Sequence, residues 1–334
     1  MKTSVLKLVP YVIACILIVT SCKKRETDEV TPATTTIAAE SEEVQVTNVN
    51  DNNETSGSID QALDDVNSDL GSLSGARIED TYQDCGRTVT IERANNSTVK
   101  GENLKTVKIS YSGDCNALGK TRTGTIIVTL TKGKYFTEKG AEYTVSFSGY
   151  STAEKGKTGL DTVKATLDGL QTVVNETGGY VWQVGRRGKT NPVIHKTSGD
   201  MKITFHNGKT RSWTVTRKVT YARPDTASRT ITITVEGFGT DGANSDVVIS
   251  GTNRFGDKFV TRISKPIIGY STCFWVPAEG ERIHTVTPAS GGDPIVTTET
   301  INKGSGAASC PSGYKIKFKN RKGEEKSREV KWSK

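Results

Sequence analysis

Beyond Tyr82 the chain alternates between apolar and polar positions. In "TGTIIVTLTKGKYFTEKGAEYTVSFSGY", Ile126, Val128 and Leu130 fall on every second position, Gly133 and Gly140 mark a turn, and Tyr143, Val145 and Phe147 resume the same period. A period of two is what a strand shows when one face is buried and the other wet. "SGDMKITFHNGKTRSWTVTRKVTY" repeats the pattern with Asn207-Gly208 between its arms, a pair that accepts the left-handed backbone of a tight hairpin. "DVVISGTNRFGDKFVTRI" turns about Gly256 and "SGYKIKFKNRKGEEKSREVKW" about Gly323. Thr, Lys and Arg fill many of the alternate positions, as a solvated sheet face requires, and charges there also blunt sheet edges. The prediction is an all-β body over 77–334, built of repeated antiparallel hairpins as a sandwich or an elongated twisted sheet. "GLDTVKATLDGLQTVV" fits helix and strand alike.

The first 76 residues read differently. Ile59, Leu63, Val66 and Leu70 recur at helical spacing, and Ser58 with Gln61 has the form of a capping box, so 58–76 is expected to hold a short amphipathic helix. Residues 22–57 are rich in Thr, Glu, Asn and Ser without an apolar period, which predicts a disordered acidic tether. Met1, Lys2 and Lys7 precede an apolar run over 9–19 that is shorter than the ~20 residues of a spanning helix. Val19, Thr20 and Ser21 then abut Cys22. That order of charge, apolar core, small residues and cysteine resembles the bacterial lipobox, which implies removal of 1–21 and a diacylated Cys22 as the new N-terminus. Two acyl chains give stable anchoring where one does not.

Charge sharpens this division. The chain carries 45 bases and 37 acids, a net +8. Residues 22–80 hold four bases against fourteen acids, while 81–334 has a net charge of +16. An acidic tether thus carries a basic body that would concentrate anionic partners in a salt-sensitive way. With Cys15 in the signal and Cys22 acylated, Cys85, Cys115, Cys273 and Cys310 remain. An even set in an exported chain favours disulfides, and four cysteines allow three pairings. Each of the pairs Cys85–Cys115 and Cys273–Cys310 brackets two predicted strands and a connection, which favours these pairings and suggests two related halves, 77–195 and 196–334. No C-x-x-C pair is present to favour zinc.

The succession of "GDC", "GKTRTGTIIVTLT", "GTNRFGDKFVTRISKPI", "CFWVPAEGERIHTV" and "CPSGYKIKF" over 82–320 resembles all-β lipoproteins common in Bacteroidota. The resemblance implies an antiparallel β body and the outer membrane as destination. It implies no activity.

The chemistry-bearing residues are sparse. His195, His206 and His284 stand in unrelated contexts, and neither an H-E-x-x-H, a G-x-S-x-G nor a P-loop motif occurs. "GFGTDG" at 237–242 runs from strand into strand and so lacks the helix N-terminus a phosphate loop needs. "DGANSD" reads as a hairpin turn before a calcium loop. Asp161, Asp168, Glu236 and Glu299 are carboxylates that a hydrolase could pair, though no spacing selects them. Catalysis, a metal and a cofactor are therefore not expected. Trp182, Trp213, Trp275 and Trp332, with Arg186, Arg187, Arg211 and Arg217, suggest a ledge for an acidic polysaccharide or lipopolysaccharide headgroup, where rings pack on sugars and guanidiniums take the anions. A nucleic-acid partner does not suit the expected address. A lipid carrier with an open apolar groove and a secreted hydrolase are the rival readings.

Overall fold

In the computed structural model the described residues are 81–84, 87–93, 104–113, 120–155, 162–179, 181, 184, 191–223, 230–270, 277–301, 310, 313–319 and 323–331. The signal, tether and predicted helix lie outside them, as do Cys22, Cys85, Cys115, Cys273, Trp182, Arg186, Arg187, Trp275 and Trp332.

The described chain is all-β. Its strands are β1 (Thr81–Asp84), β2 (Arg87–Arg93), β3 (Leu104–Ser112), β4 (Lys120–Lys132), β5 (Ala141–Lys155), β6 (Thr162–Asn175), β7 (Val193–Phe205) and β8 (Thr210–Ala222). They continue as β9 (Thr232–Gly237), β10 (Gly239–Asp241), β11 (Asn244–Thr252), β12 (Lys258–Tyr270), β13 (Pro277–Thr287), β14 (Ile295–Ile301), β15 (Gly313–Lys319) and β16 (Glu325–Lys331). All sixteen belong to one sheet, and every pairing is antiparallel. The ambiguous segment is β6. The residue pair 195/196, expected to divide two halves, lies within β7, and the sheet runs through it unbroken.

Spatial order follows sequence order from β1 to β8 and from β11 to β16. The exception lies between β8 and β12, where two strands share one slot. β9 pairs with residues 217–222 of β8 and 267–270 of β12. β11 continues along the same line, pairing with 212–215 of β8 and with β12 from Lys258 to Arg262. Between them the chain leaves the slot as the β10–β11 hairpin, in which Gly239 faces Val247 and Asp241 faces Asn244. The "GFGTDGANSD" stretch is therefore a hairpin that interrupts a strand.

Alternation sorts side chains to two faces. Val107, Ile109, Ile126, Val128, Val145, Val215, Ile249, Phe259 and Ile316 are buried members of one apolar cluster that extends from β2 to β15. The intervening Thr, Ser, Lys and Arg are half-buried or exposed. A lipid carrier was expected to leave inward strand positions open to solvent. The inward positions named here are instead packed, at 5 % exposure or less.

Candidate functional site

Three residues of the expected ledge, Arg211, Trp213 and Arg217, lie among the described residues, and they do not face solvent. Along β8 the buried residues are Arg211, Trp213, Val215, Arg217, Val219 and Tyr221, and the intervening set faces outward. Trp213 is 4 % exposed, Arg211 3 % and Arg217 6 %, so all three point into the core. The physical reason is parity. Both arginines stand an even number of residues from Trp213, Val215 and Tyr221, and burying that apolar set carries the guanidiniums in with it. Arg211 and Trp213 are in contact, whereas Arg217 lies six residues from Arg211 along an extended strand, roughly 20 Å away.

What the fold does bring together is a cluster of cations and rings at one end of the sheet, where the β7–β8 and β11–β12 turns sit side by side. Arg211 stacks on both Trp213 and Phe259, with Cζ 5.2 and 4.5 Å from the ring centroids. Arg254 lies 4.9 Å from the centroid of Phe205 and 5.2 Å from that of Phe255. The Lys209 ammonium lies 4.9 Å from the Phe255 centroid. The cluster grades from core to solvent: Phe205, Arg211, Trp213 and Phe259 are buried, while Lys209 is exposed and Phe255 is 38 % exposed.

Local hydrogen bonds fix this presentation. In the first turn Gly208 N–H donates to Phe205 O at 2.9 Å and Phe205 N–H to Lys209 O at 2.9 Å. In the second, the buried Asn253 carboxamide oxygen accepts from Phe255 N–H at 2.9 Å and Asp257 N–H at 3.0 Å, so Phe255 is held at the tip. The Asp257 carboxylate accepts from Asn253 Nδ2 at 3.3 Å and from Ala289 N–H at 3.0 Å, tying this turn to the β13–β14 connection. The local acid is engaged in scaffolding, and the exposed tip presents a lysine and a phenyl ring. His206, on the neighbouring tip, is exposed as its place before the turn predicted.

Beneath the rim the core contains polar groups. Thr261 and His284 face each other across β12 and β13, with Oγ1 and Nδ1 2.7 Å apart. Burial, with the guanidiniums of Arg211 and Arg282 adding to it, lowers the His284 pKa to about 3. Burial alone lowers that of His195, which packs edge-on against Tyr143 and Tyr221, to about 4. Both imidazoles are therefore neutral near pH 7, a state that suits a dry interior. Glu299, 4 % exposed, accepts from Arg282 Nη2 at 2.6 Å. The other carboxylates considered for hydrolysis fall elsewhere: Asp168 is exposed on β6, Glu236 pairs with Lys218 on the wet face, and Asp161 is outside the described residues. Among the described residues no group of three or more His, Cys, Asp or Glu side chains could hold a metal ion.

Cys310 is exposed and disulfide-bonded. The other three cysteines of the expected pairs lie outside the described residues. Sequence reasoning singled out Arg211 and Trp213 but missed Lys209, Arg254 and Phe255. Their signal was present, since Lys209 and Phe255 adjoin the glycines of predicted turns and Arg254 precedes Phe255, and a large ring at a turn has no core to fill. Compared with known proteins, the chain matches no family model, no curated protein and no solved structure.

Proposed function

We propose that the chain is a lipid-anchored protein of the cell envelope. It is held in the outer membrane through an acylated Cys22, and it binds an acidic polysaccharide or lipopolysaccharide headgroup without catalysis. The order of charge, apolar core and cysteine in residues 1–22 supports the anchor, and the net +16 of 81–334 supports an anionic ligand. The observation that carries the binding role is the rim, where Lys209 and Arg254 both lie within 5.2 Å of the centroid of the exposed Phe255 ring. A ring accepts the C–H face of a sugar while adjacent cations meet its carboxylate or phosphate. The disulfide at Cys310 supports an oxidising compartment.

Two measurements test this reading. Metabolic fatty-acid labelling should be lost in Cys22→Ser, and retained label would remove the anchor. In native gels containing alginate or polygalacturonate, the full-length protein should be retarded, and Lys209→Ala with Phe255→Ala should weaken retention about tenfold, equivalent to ~1.4 kcal/mol. Retention that survives the double variant unchanged would mean the rim is not the site.

A further inference from the structure

The β10–β11 hairpin crosses the outer face of the sheet at Thr216. Phe238 N–H donates to Thr216 O at 3.2 Å, and the Thr216 hydroxyl donates to Val247 O at 2.8 Å. The seat is built for close approach. A Cβ on Gly239 would overlap the Thr216 hydroxyl, and one on Gly237 would overlap the Asp246 carbonyl. This arrangement breaks the strand line between β8 and β12 and places a phenylalanine on the wet side, 42 % exposed, with the Lys196 ammonium 5.7 Å from its ring centroid.

A row of hydroxyls leads to this hairpin across the outer face. The register aligns Thr106 of β3 with Thr129 of β4, Thr144 of β5, Thr172 of β6, Ser198 of β7 and Thr216 of β8. Strand spacing sets neighbours about 4.8 Å apart. Thr216 seats the hairpin, and the other five face outward as half-buried or exposed positions. Leu170, in the adjoining row on β6, is 53 % exposed. Of the charges beside the row, Lys196 pairs with Glu176 at 2.6 Å and Lys218 with Glu236 at 2.8 Å, while the exposed Asp200 carboxylate accepts from Thr214 Oγ1 at 2.6 Å and would itself repel an anion.

We infer that the outer face of β5–β8, walled by the β10–β11 hairpin, is a binding platform for a neutral polysaccharide, separate from the basic rim. Hydroxyls donate and accept in either sense, as an array of sugar hydroxyls demands. Phe238 and Leu170 offer apolar surface to the C–H face of a pyranose. An anionic ligand would meet lysines already neutralised by glutamates. Two exposed apolar side chains fall short of the several hundred Å² expected of a protein-binding patch, and a row of hydroxyls does not suit a lipid chain.

The test is native affinity electrophoresis of the full-length protein in gels containing laminarin, yeast mannan or dextran, with alginate as the acidic arm. At least one neutral polysaccharide should retard the protein. Phe238→Ser, or Thr172→Val with Ser198→Ala, should weaken that retention at least about tenfold, equivalent to ~1.4 kcal/mol. Lys209→Ala with Phe255→Ala should leave it unchanged, and far-UV circular dichroism and melting would show that each variant is folded. Three outcomes overturn the proposal: no retardation in any neutral gel, retention indifferent to both platform variants, or retention lost with the rim variant instead.

Discussion

Two ion pairs on strand β13 lie one residue apart and on opposite faces. Glu281 reaches across to β12 and the wet side, where Lys265 meets it at 3.1 Å with its own side chain 67 % exposed. Arg282 reaches across to β14 and the core side, meeting Glu299 at 2.6 Å with side-chain exposures of 13 % and 5 %. The chemistry is the same and the surroundings differ. Around Glu281, Ser264 and Lys265 hold the carboxyl below its ordinary pKa, and water screens what remains. Around Glu299, removing Arg282 would take a charge-assisted hydrogen bond from a carboxylate in a dry interior. The comparison teaches that in this sheet the face, rather than the residue type, decides what a charge contributes.

The largest effect expected from breaking that comparison is at the buried pair. Arg282→Met should lower unfolding stability by about 3–5 kcal/mol, read as a shift of the denaturant midpoint. If Arg282→Met with Glu299→Leu recovers most of the loss, the cost lies in the weakened solvation of a buried carboxylate rather than in lost packing. A loss no larger in Arg282→Met than in an outer-face variant would void the distinction between the faces.

Acid should have the next largest effect. His284 and His195 hold folded-state pKa values of about 3 and about 4 against an ordinary 6.5. Below pH 6.5 the unfolded chain therefore binds more protons than the folded one, and stability falls as pH drops from about 6.5 toward 3–4. The two imidazoles together should account for a few kcal/mol of that decline. Replacing both with leucine should flatten the part of the pH–stability curve between 6.5 and 4.5, and an unchanged slope would assign acid sensitivity elsewhere. Smallest of all, Lys265→Ala should cost about 1 kcal/mol or less, and a larger loss would make the outer pair structural.

Much of this fold was legible because hairpins are local. Asn207-Gly208, Gly256 and Gly323 marked turns that the structure contains, and the alternation of Ile126, Val128, Tyr143 and Val145 identified a buried face. On β8 the chemistry of Arg211, Arg217 and Trp213 suits a binding ledge, but their shared parity with Val215, Val219 and Tyr221 places them inside. Charge suggested the surface and periodicity dictated the core. The shared slot was beyond a local reading, since the collinearity of β9 and β11 depends on β8 and β12, which flank it. Only the Gly237–Phe238–Gly239 triplet hinted at it, as a ring between two residues without side chains. The rim was half legible: its turns were predicted, but the meeting of Phe255 with Lys209 follows from neighbouring hairpins, a tertiary fact.

The near-sequential order of the sheet also bears on how the chain acquires its structure. Through β8 each new strand finds its partner in the strand just before it, so a chain delivered N-terminus first can extend an existing edge without waiting for distant segments. That order is interrupted once. The edge of β8 is first met by β9 over residues 217–222 only, and the stretch at 212–215 stays bare until β11 arrives. Strand-by-strand growth of the sheet thus has one break in its order, because part of the β8 edge finds its partner only after the β10–β11 excursion has been made.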